Sequence, residues 1–378
     1  MPAGLYVHVP FCSAICHYCN FNRGLYDAAL KDRYLDALLR EIEAHADGTS
    51  ADTIFFGGGT PSLLEPAEIE AVVAACRRAF TLAPEAEITL EANPESVSLD
   101  RLLGFRDAGV NRLSVGVQSF KDQELVALGR VHTASRAREA FGMARAAGFD
   151  NVSLDLMMWL PQQSIADWLA SIGSLIELGP EHASLYLLEL YPNAPIRESM
   201  ARSSWSQAPD DDAADMYLEA MTELDRAGYA QYEISNVSRP GLESRHNLKY
   251  WTDGEWLGFG CGAHSTRHGV RSRNLASVTG YIAAAASGQT TCGERRVLSA
   301  QERLEEVLFM GLRLVRGIDL DLVESEHGVD VWDRFGPDLQ PFVDTGLLIY
   351  DGRALRLPRA GMLLANEIMM VLIGSPVR

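Results

Sequence analysis

The chain has 378 residues, 47% of them hydrophobic and 22% charged, a composition that suits a globular protein of one large domain plus a smaller one. No apolar run reaches the length of a membrane span, and Met1 to Val9 pass straight into strand-like sequence without a basic leader, so the reading is a cytoplasmic protein with no signal or transit peptide. A formal net charge of −18 repels polyanions and argues against nucleic acid as a partner.

Between residues 5 and 190 short β-rich runs alternate with longer stretches of helical period. Strands are predicted at 5–9, 53–56, 87–92, 112–117, 152–157 and 183–190, with helices at 31–46, 66–79, 100–108, 134–147 and 165–178. That order is the signature of parallel βα units with right-handed crossovers. Six units predict an α/β fold in the form of an open, partial (β/α)6 TIM-like barrel, with its chemistry at the carboxyl ends of the strands. Beyond residue 230 the regularity fails. Residues 236–269, rich in Gly, Ser, Arg, His and aromatics, read as loops and short strands able to close over the barrel mouth. A helical segment at 301–315 leads to β-like runs at 347–350 and 354–357 joined by Asp351-Gly352, a strong hairpin signal. Helices followed by such a hairpin predict a winged-helix-like α+β domain. The expected divisions are a barrel at 1–235, a barrel-closing segment at 236–298 and the winged-helix-like domain at 299–378.

The chemistry-bearing residues fall at the strand ends. After the first strand, Cys12, Cys16 and Cys19 stand in Cys-x3-Cys-x2-Cys spacing. A cubane cluster takes a thiolate on each of its irons, so three closely spaced thiolates leave one iron to a ligand that is not protein. Zinc is the competing reading, because Cys and His at short spacing also make tetrahedral sites and His17 lies between two of the thiols. Structural zinc usually brings a second Cys or His pair, however, and Cys76, Cys261 and Cys292 stand alone. After the second strand comes Gly57-Gly58-Gly59-Thr60-Pro61, whose glycines let a ligand approach the backbone and whose amides can cradle a polar group, unless the run is a plain tight turn. Glu91 and Asp155 are isolated acids in apolar strands, where charges are rarely left unpaired. Gln118 closes the fourth strand, and Arg130 offers a planar fork to a carboxylate, although a solvated helix end explains Arg130 and His132 as well. Arg267, Arg271 and Arg273 fall close together and suit a solvated loop or a carboxylate-bearing small molecule better than nucleic acid.

Together with Tyr232-Glu233-Ile234-Ser235-Asn236, Arg245-His246-Asn247-Leu248-Lys249-Tyr250-Trp251 and Leu257-Gly258-Phe259-Gly260-Cys261-Gly262-Ala263-His264, these motifs resemble the radical S-adenosylmethionine (SAM) superfamily. The branch resembled is that of the coproporphyrinogen III oxidases and, within it, the HemW-type haem chaperones. The resemblance implies a 4Fe-4S cluster on Cys12, Cys16 and Cys19, with SAM on the open iron and cleaved to a 5'-deoxyadenosyl radical on reduction. It implies SAM contacts from Tyr6, Tyr18, Gly58, Gly59, Thr60, Glu91, Gln118, Arg130 and Asp155. It also implies haem as cargo, with haem-accepting proteins and an electron donor as partners. His246 is the candidate iron ligand, with Tyr250 and Trp251 against the macrocycle and Arg245, Arg267 or Arg271 at the propionates; the alternative for His246 is a hydrogen bond within a loop under the barrel.

The chain also departs from the branch. Trp159 and Gln162 stand where glycines are common, so Trp159 is expected to narrow the pocket or to supply a stacking face. Gly-Cys-Gly-Ala-His replaces Gly-Pro-Gly-Ala-His, which makes Cys261 either a soft ligand or a buried thiol. The oxidases of the branch continue Cys-x-Cys and carry a longer leading segment, whereas here Cys19 is followed by Asn20 and Phe21 and Tyr6 is almost the first structured residue. The expectation is a SAM-cleaving family member that serves as a haem chaperone without oxidase activity. The other readings are the oxidase itself, a class C radical SAM methyltransferase and a zinc-stapled interaction protein.

Overall fold

Six strands follow one another in parallel through the centre of one large sheet: β1 (Ala3–Val9), β2 (Ser50–Gly58), β3 (Thr81–Ala92), β4 (Arg112–Gln118), β5 (Val152–Met158) and β6 (His182–Leu187). A computed structural model describes residues 1–191, 194–197, 200 and 210–373. The strands alternate with α1 (Ala28–Ala44), α2 (Pro66–Ala79), α3 (Leu99–Asp107), α4 (Ala134–Ala146) and α5 (Ile165–Leu178). β4 is buried from Arg112 to Val117, as expected of a parallel strand covered on both faces. α1 starts where Asp27 accepts the Leu30 N–H at 2.7 Å, and α5 starts on a Ser164–Asp167 capping box.

The elements lie where the pattern predicts them, with two informative differences. β3 begins earlier, because Thr81 and Leu82 pair with Ser50 and Ala51 before a register shift. β6 stops at Leu187, three residues short of the prediction, since its partner β5 ends at Met158 and the chain then turns through Trp159 in a left-handed conformation (φ 62°). Leu188 N still donates to Met158 O at 3.1 Å, the last bond along that edge.

Residues 236–269, expected to close over the mouth, instead join with their neighbours in widening the sheet on both edges. β7 (Ala230–Glu233) and β8 (Asn236–Ser238) add antiparallel beside β6. On the other edge β9 (Trp256–Phe259) pairs parallel with β1, and β10 (His264–Arg267), β11 (Val270–Asn274) and β12 (Cys292–Val297) continue antiparallel. The result is a twelve-stranded open sheet in the order β12-β11-β10-β9-β1-β2-β3-β4-β5-β6-β8-β7. Between these additions α7 (Arg245–Trp251) docks at the amino ends of the barrel strands. The Glu87 carboxylate accepts the N–H groups of Arg245 and His246, each at 3.1 Å, and Lys249 pairs with Asp52 at 2.6 Å.

The carboxyl-terminal segment contains α9 (Ala300–Gly311), which follows α8 (Val278–Ala286), two further helices at Leu320–His327 and Val331–Asp344, and a three-stranded antiparallel sheet. The expected hairpin pairs Tyr350 with Leu355, and Asp351 accepts the Ala354 N–H at 2.8 Å within the turn. Arg359 joins this segment to the barrel through a bidentate pair with Asp225 on α6 (Asp210–Arg226), at 2.5 and 2.8 Å. Residues 374–378 of the expected third domain lie outside the described residues. Among the described residues no helix is long and apolar enough to cross a membrane.

One buried carboxylate joins the β9–β12 extension to the barrel. Glu41 on α1 accepts from Gly260 N (2.8 Å), Tyr281 Oη (2.6 Å), Asn274 Nδ2 (2.6 Å) and Thr291 Oγ1 (2.7 Å), so all four donors of the extension converge on its two oxygens. Leaving buried donors without a partner costs about 1–3 kcal/mol each. Glu41→Ala is therefore expected to lower stability by at least about 3 kcal/mol in chemical unfolding, and a loss below about 1 kcal/mol would contradict this clamp.

Candidate functional site

The cysteine loop leaves β1 at Val9 and returns through Phe11–Cys12, which pairs with Gly24–Leu25. Cys12 is buried and Cys16 and Cys19 are half-buried, and all three line one cavity of about 420 Å³ at the carboxyl ends of the barrel strands. The remaining thiols are elsewhere. Cys76 is buried in α2, where burial pushes it up to about 12; Cys261 is a fully buried thiol pushed up to about 11, also by burial; Cys292 sits on edge strand β12. Cys261 accordingly packs as a small apolar group and lines neither this cavity nor its neighbour.

His17, the residue that kept zinc in contention, turns away from the thiols. Its Nδ1 bonds the Ala127 carbonyl at 3.1 Å, its N–H donates to Leu128 O at 3.0 Å, and its ring lies against Gly129. Among the described residues no three His, Cys, Asp or Glu side chains converge on a single ion. Thiolates on separate corners of a cubane need not do so. The donors facing the cavity are thus three thiols without a histidine, with Arg130 Nη1 at 3.4 Å from Cys16 Sγ and Arg23 donating to the Cys19 carbonyl as nearby positive charge. This set fits an iron-sulfur cluster that carries an open iron.

The glycine turn has a different local role from the amide cradle expected of it. The N–H groups of Gly59 and Thr60 donate to Val9 O and Phe11 O, each at 2.8 Å, and Gly58 N donates to Glu91 Oε2 at 3.1 Å. These amides hold the cysteine loop and Glu91, while Gly58, Gly59 and Thr60 still line the cavity. Gly58 has φ 115°, and a Cβ there would lie 2.5 Å from the His8 ring, so only glycine fits.

Gln118, Arg130, Asp155, Glu91 and Tyr18 line the same cavity, so the structure brings together every expected SAM contact except Tyr6. Arg130 is held by Asn93 Oδ1 (2.6 Å) and Gly116 O (2.8 Å), and Asn93 in turn donates to Thr60 at 3.0 Å. Asn93 is the residue that sequence reasoning passed over here, although it sits in the same strand-end run as Glu91. Asp155 accepts from Ser114 at 3.0 Å and Ser153 at 3.2 Å. Burial, then the Asp155 carboxylate, push the Glu91 carboxyl up to about 7. Beneath these acids, Glu91, Asp155 and the buried Arg112 share a smaller cavity of about 210 Å³, and Arg112 Nε has no hydrogen-bond partner among the described residues.

Tyr6 belongs to an adjoining cavity of about 810 Å³, where its hydroxyl bonds His8 Nδ1 at 3.1 Å. The two larger cavities share Asn20, Phe21, Gly58, Glu91 and Tyr191 as a common wall. The expected haem residues divide. His246 is fully buried beneath the barrel, with Nδ1 at 2.7 Å from Thr53 Oγ1 and Nε2 at 2.9 Å from the Tyr250 hydroxyl, which leaves neither ring nitrogen free for iron. Burial, then the Lys249 and Arg112 charges, push its pKa down to about 3. That is the hydrogen-bonded alternative. Trp251 lies under the Arg313 guanidinium at 4.5 Å, away from these cavities, whereas Tyr250 lines two of them. The arginines expected at the propionates are already paired: Arg245 with Asp52 (3.4 Å), Arg267 with Asp47 (2.6 Å) and Arg271 with Glu306 (2.7 Å).

The radical SAM superfamily profile matches residues 6–175, and the HemN C-terminal domain profile matches residues 298–364. Over 374 residues the chain is 35% identical to the heme chaperone HemW of Bacillus subtilis, covering 98% of this chain and 99% of the relative. The chain belongs to the HemW family of radical SAM proteins. A mitochondrial radical S-adenosyl methionine domain-containing protein 1 from Bos taurus is 39% identical over 391 residues, covering 98% of this chain and 87% of that one. In three dimensions, the radical SAM coproporphyrinogen III oxidase of Escherichia coli superposes with a TM-score of 0.86 at 25% identity, covering 98% of this chain and 90% of the oxidase. Membership of the superfamily implies SAM and a 4Fe-4S cluster.

The departures from HemW-like sequence acquire a physical reading. Trp159 lines none of the three cavities, so it neither narrows the site nor stacks within it. Trp159 and Gln162 both keep φ 62°, so the backbone retains the left-handed turns that glycine favours although the glycines are gone. At exposed Gln162 that strain is on the order of 1 kcal/mol, against roughly 0.5–1 kcal/mol of extra unfolded-state entropy for glycine. Gln162→Gly is expected to leave stability unchanged or to raise it by up to about 1 kcal/mol, and a loss above about 1 kcal/mol would contradict this.

Glu91 supplies a pH test. Its carboxyl binds its proton more tightly folded than unfolded, so the folded state carries the extra proton between the ordinary carboxylate range and about 7, and stability falls as pH rises through that window. Glu91→Gln removes this contribution. Between about pH 5 and 7.5 the melting temperature of the parent, without SAM, should fall more steeply than that of the variant, and parallel profiles would contradict the buried-acid reading.

Proposed function

We propose that this protein captures haem and passes it to haem-accepting proteins, with a SAM-bearing 4Fe-4S cluster as its resident cofactor. The observation that carries the reading is 35% identity, from end to end, with a protein named as a heme chaperone, combined with Asn20-Phe21 where the oxidases of the branch continue to a further cysteine. Phe21 is 64% exposed and lines both large cavities, so an apolar ring stands at the shared wall in place of a thiol. The haem cargo belongs to the second cavity.

In this reading Cys12, Cys16 and Cys19 take three corners of the cluster. SAM lies against Gly58, Gly59, Thr60, Tyr18, Glu91, Gln118, Arg130 and Asp155, while Tyr6 acts from the adjoining side. When bound and reduced, the cluster supplies one electron to SAM, and an electron donor is therefore a partner. The chain's own residues set the conditions. Arg130, which stays charged beside Cys16, offsets thiolate charge and offers its remaining donor capacity to a carboxylate. The acids Glu91 and Asp155 face the cavity as acceptors for an ammonium or for hydroxyl groups. A cytoplasmic setting without a nucleic-acid partner accompanies this proposal.

After anaerobic reconstitution, Cys16→Ala should lose the cluster, whereas Cys261→Ala and Cys76→Ala should keep it. Arg130→Ala removes a charge-assisted bond worth about 1.5–3 kcal/mol, so SAM affinity should fall at least about tenfold. The parent should bind haem without decarboxylating coproporphyrinogen III. Full cluster content in Cys16→Ala would remove the cofactor assignment, and robust decarboxylation would return the function to the oxidase.

A further inference from the structure

A haem cargo needs a cavity of its size and an axial donor, and the second cavity holds both. Its volume of about 810 Å³ lies within the roughly 300–1,000 Å³ that bound cofactors and ligands occupy. Its aromatic lining is Phe21 and Tyr191, both exposed, together with Tyr250 and Trp256, whose rings meet edge-on at 4.8 Å. Two histidines line it. His8 is buried with both ring nitrogens engaged, Nδ1 by Tyr6 and Nε2 by Asn22 O at 2.7 Å. His264 is exposed to the cavity, and no side-chain hydrogen bond or ion pair holds its ring among the described residues.

His264 and Arg273 are directly opposed in the β10–β11 register, so the two side chains leave one face of the sheet into one cavity. Arg273 is the least committed arginine of its cluster. Its only ion pair among the described residues, with Glu294, is long at 3.8 Å and joins two exposed side chains, an arrangement that contributes little. Burial, then Arg273 and Arg271, hold the His264 imidazole below its ordinary pKa, which keeps it in the neutral form that ligates iron. The turn before His264 is also tied to the cysteine loop. Asn22 Nδ2 donates to Cys261 O at 3.1 Å and to Ala276 O at 3.0 Å, and Gly262, with φ 72°, admits the Asn22 amide where a Cβ would stand 2.4 Å from it.

We propose that His264 is the axial ligand of the haem cargo, with the macrocycle between the aromatic walls of this cavity and Arg273 on a propionate. The inference rests on the haem-chaperone reading and names the site that reading requires. His246, beneath the barrel, holds the floor and not the iron.

The test uses the full chain with its cluster reconstituted, titrated with ferric haem and followed by absorption and electron paramagnetic resonance. The parent should give a histidine-ligated spectrum. His264→Ala should weaken haem at least tenfold and lose that signature while retaining the parent's iron and sulfide content, which reports folding. His264→Cys should change the spectrum to that of a thiolate-ligated haem, a result that a structural role for His264 would not produce. Arg273→Ala should weaken binding severalfold with the spectrum unchanged. Parental affinity and spectrum in both His264 variants would overturn this site and leave the chaperone reading standing. A parent that binds no haem would overturn the chaperone reading itself.

Discussion

Five successive carbonyls, from His8 to Cys12, fix the loop on which the site is built, because each is met by a donor, from Tyr34, from the 24–26 return or from the glycine turn. Tyr34 Oη donates to His8 O at 2.8 Å, Gly59 N to Val9 O at 2.8 Å, Gly24 N to Pro10 O at 2.7 Å, Thr60 N to Phe11 O at 2.8 Å and Tyr26 N to Cys12 O at 2.9 Å. A loop that carries three metal-ligand candidates cannot rely on the metal for its shape before loading, and buried carbonyls without partners are costly. These five bonds fix its shape. They also explain why the glycine turn must follow β2: it is the continuation of the β1–β2 ladder, and its spacing sets where Cys12 emerges.

Both large cavities depend on the same frame. Tyr34, which meets His8 O, also accepts the Cys261 N–H at 3.1 Å, and Glu41, two turns along α1, gathers four donors of the β9–β12 extension. α1 therefore holds the cysteine loop and the His264 turn to one helix face. The two cavities share Gly58, Glu91, Asn20, Phe21 and Tyr191 in their linings, so the thiols and His264 face adjoining spaces.

The barrel was legible because parallel βα units write themselves in period and length, and the cysteine spacing and strand-end acids reported the first cavity directly. What the sequence hid depends on partners distant along the chain. His246 carries an aromatic motif suggestive of a cofactor, yet Thr53, 193 residues away, and Tyr250 occupy both of its nitrogens. His264 stands in a glycine-rich turn that reads as a loop, and its freedom is visible only once β10 and β11 are paired. The arginine cluster looked like one patch, but antiparallel strands and α9 distribute it among Asp47, Glu306 and Glu294. The segment at 236–269 lacks regular period because it is divided between two sheet edges and a helix under the barrel, each too short to show one.

The central claim is that SAM and haem occupy two adjoining cavities separated by the Glu91–Phe21 wall. Haem affinity measured anaerobically on the cluster-bearing protein, with and without saturating SAM, tests it most directly. The account predicts that both ligands bind together and that haem affinity changes by no more than about threefold, a coupling below about 1 kcal/mol. Mutual exclusion, with the apparent haem dissociation constant rising in proportion to SAM concentration, would place both ligands in one cavity and contradict it.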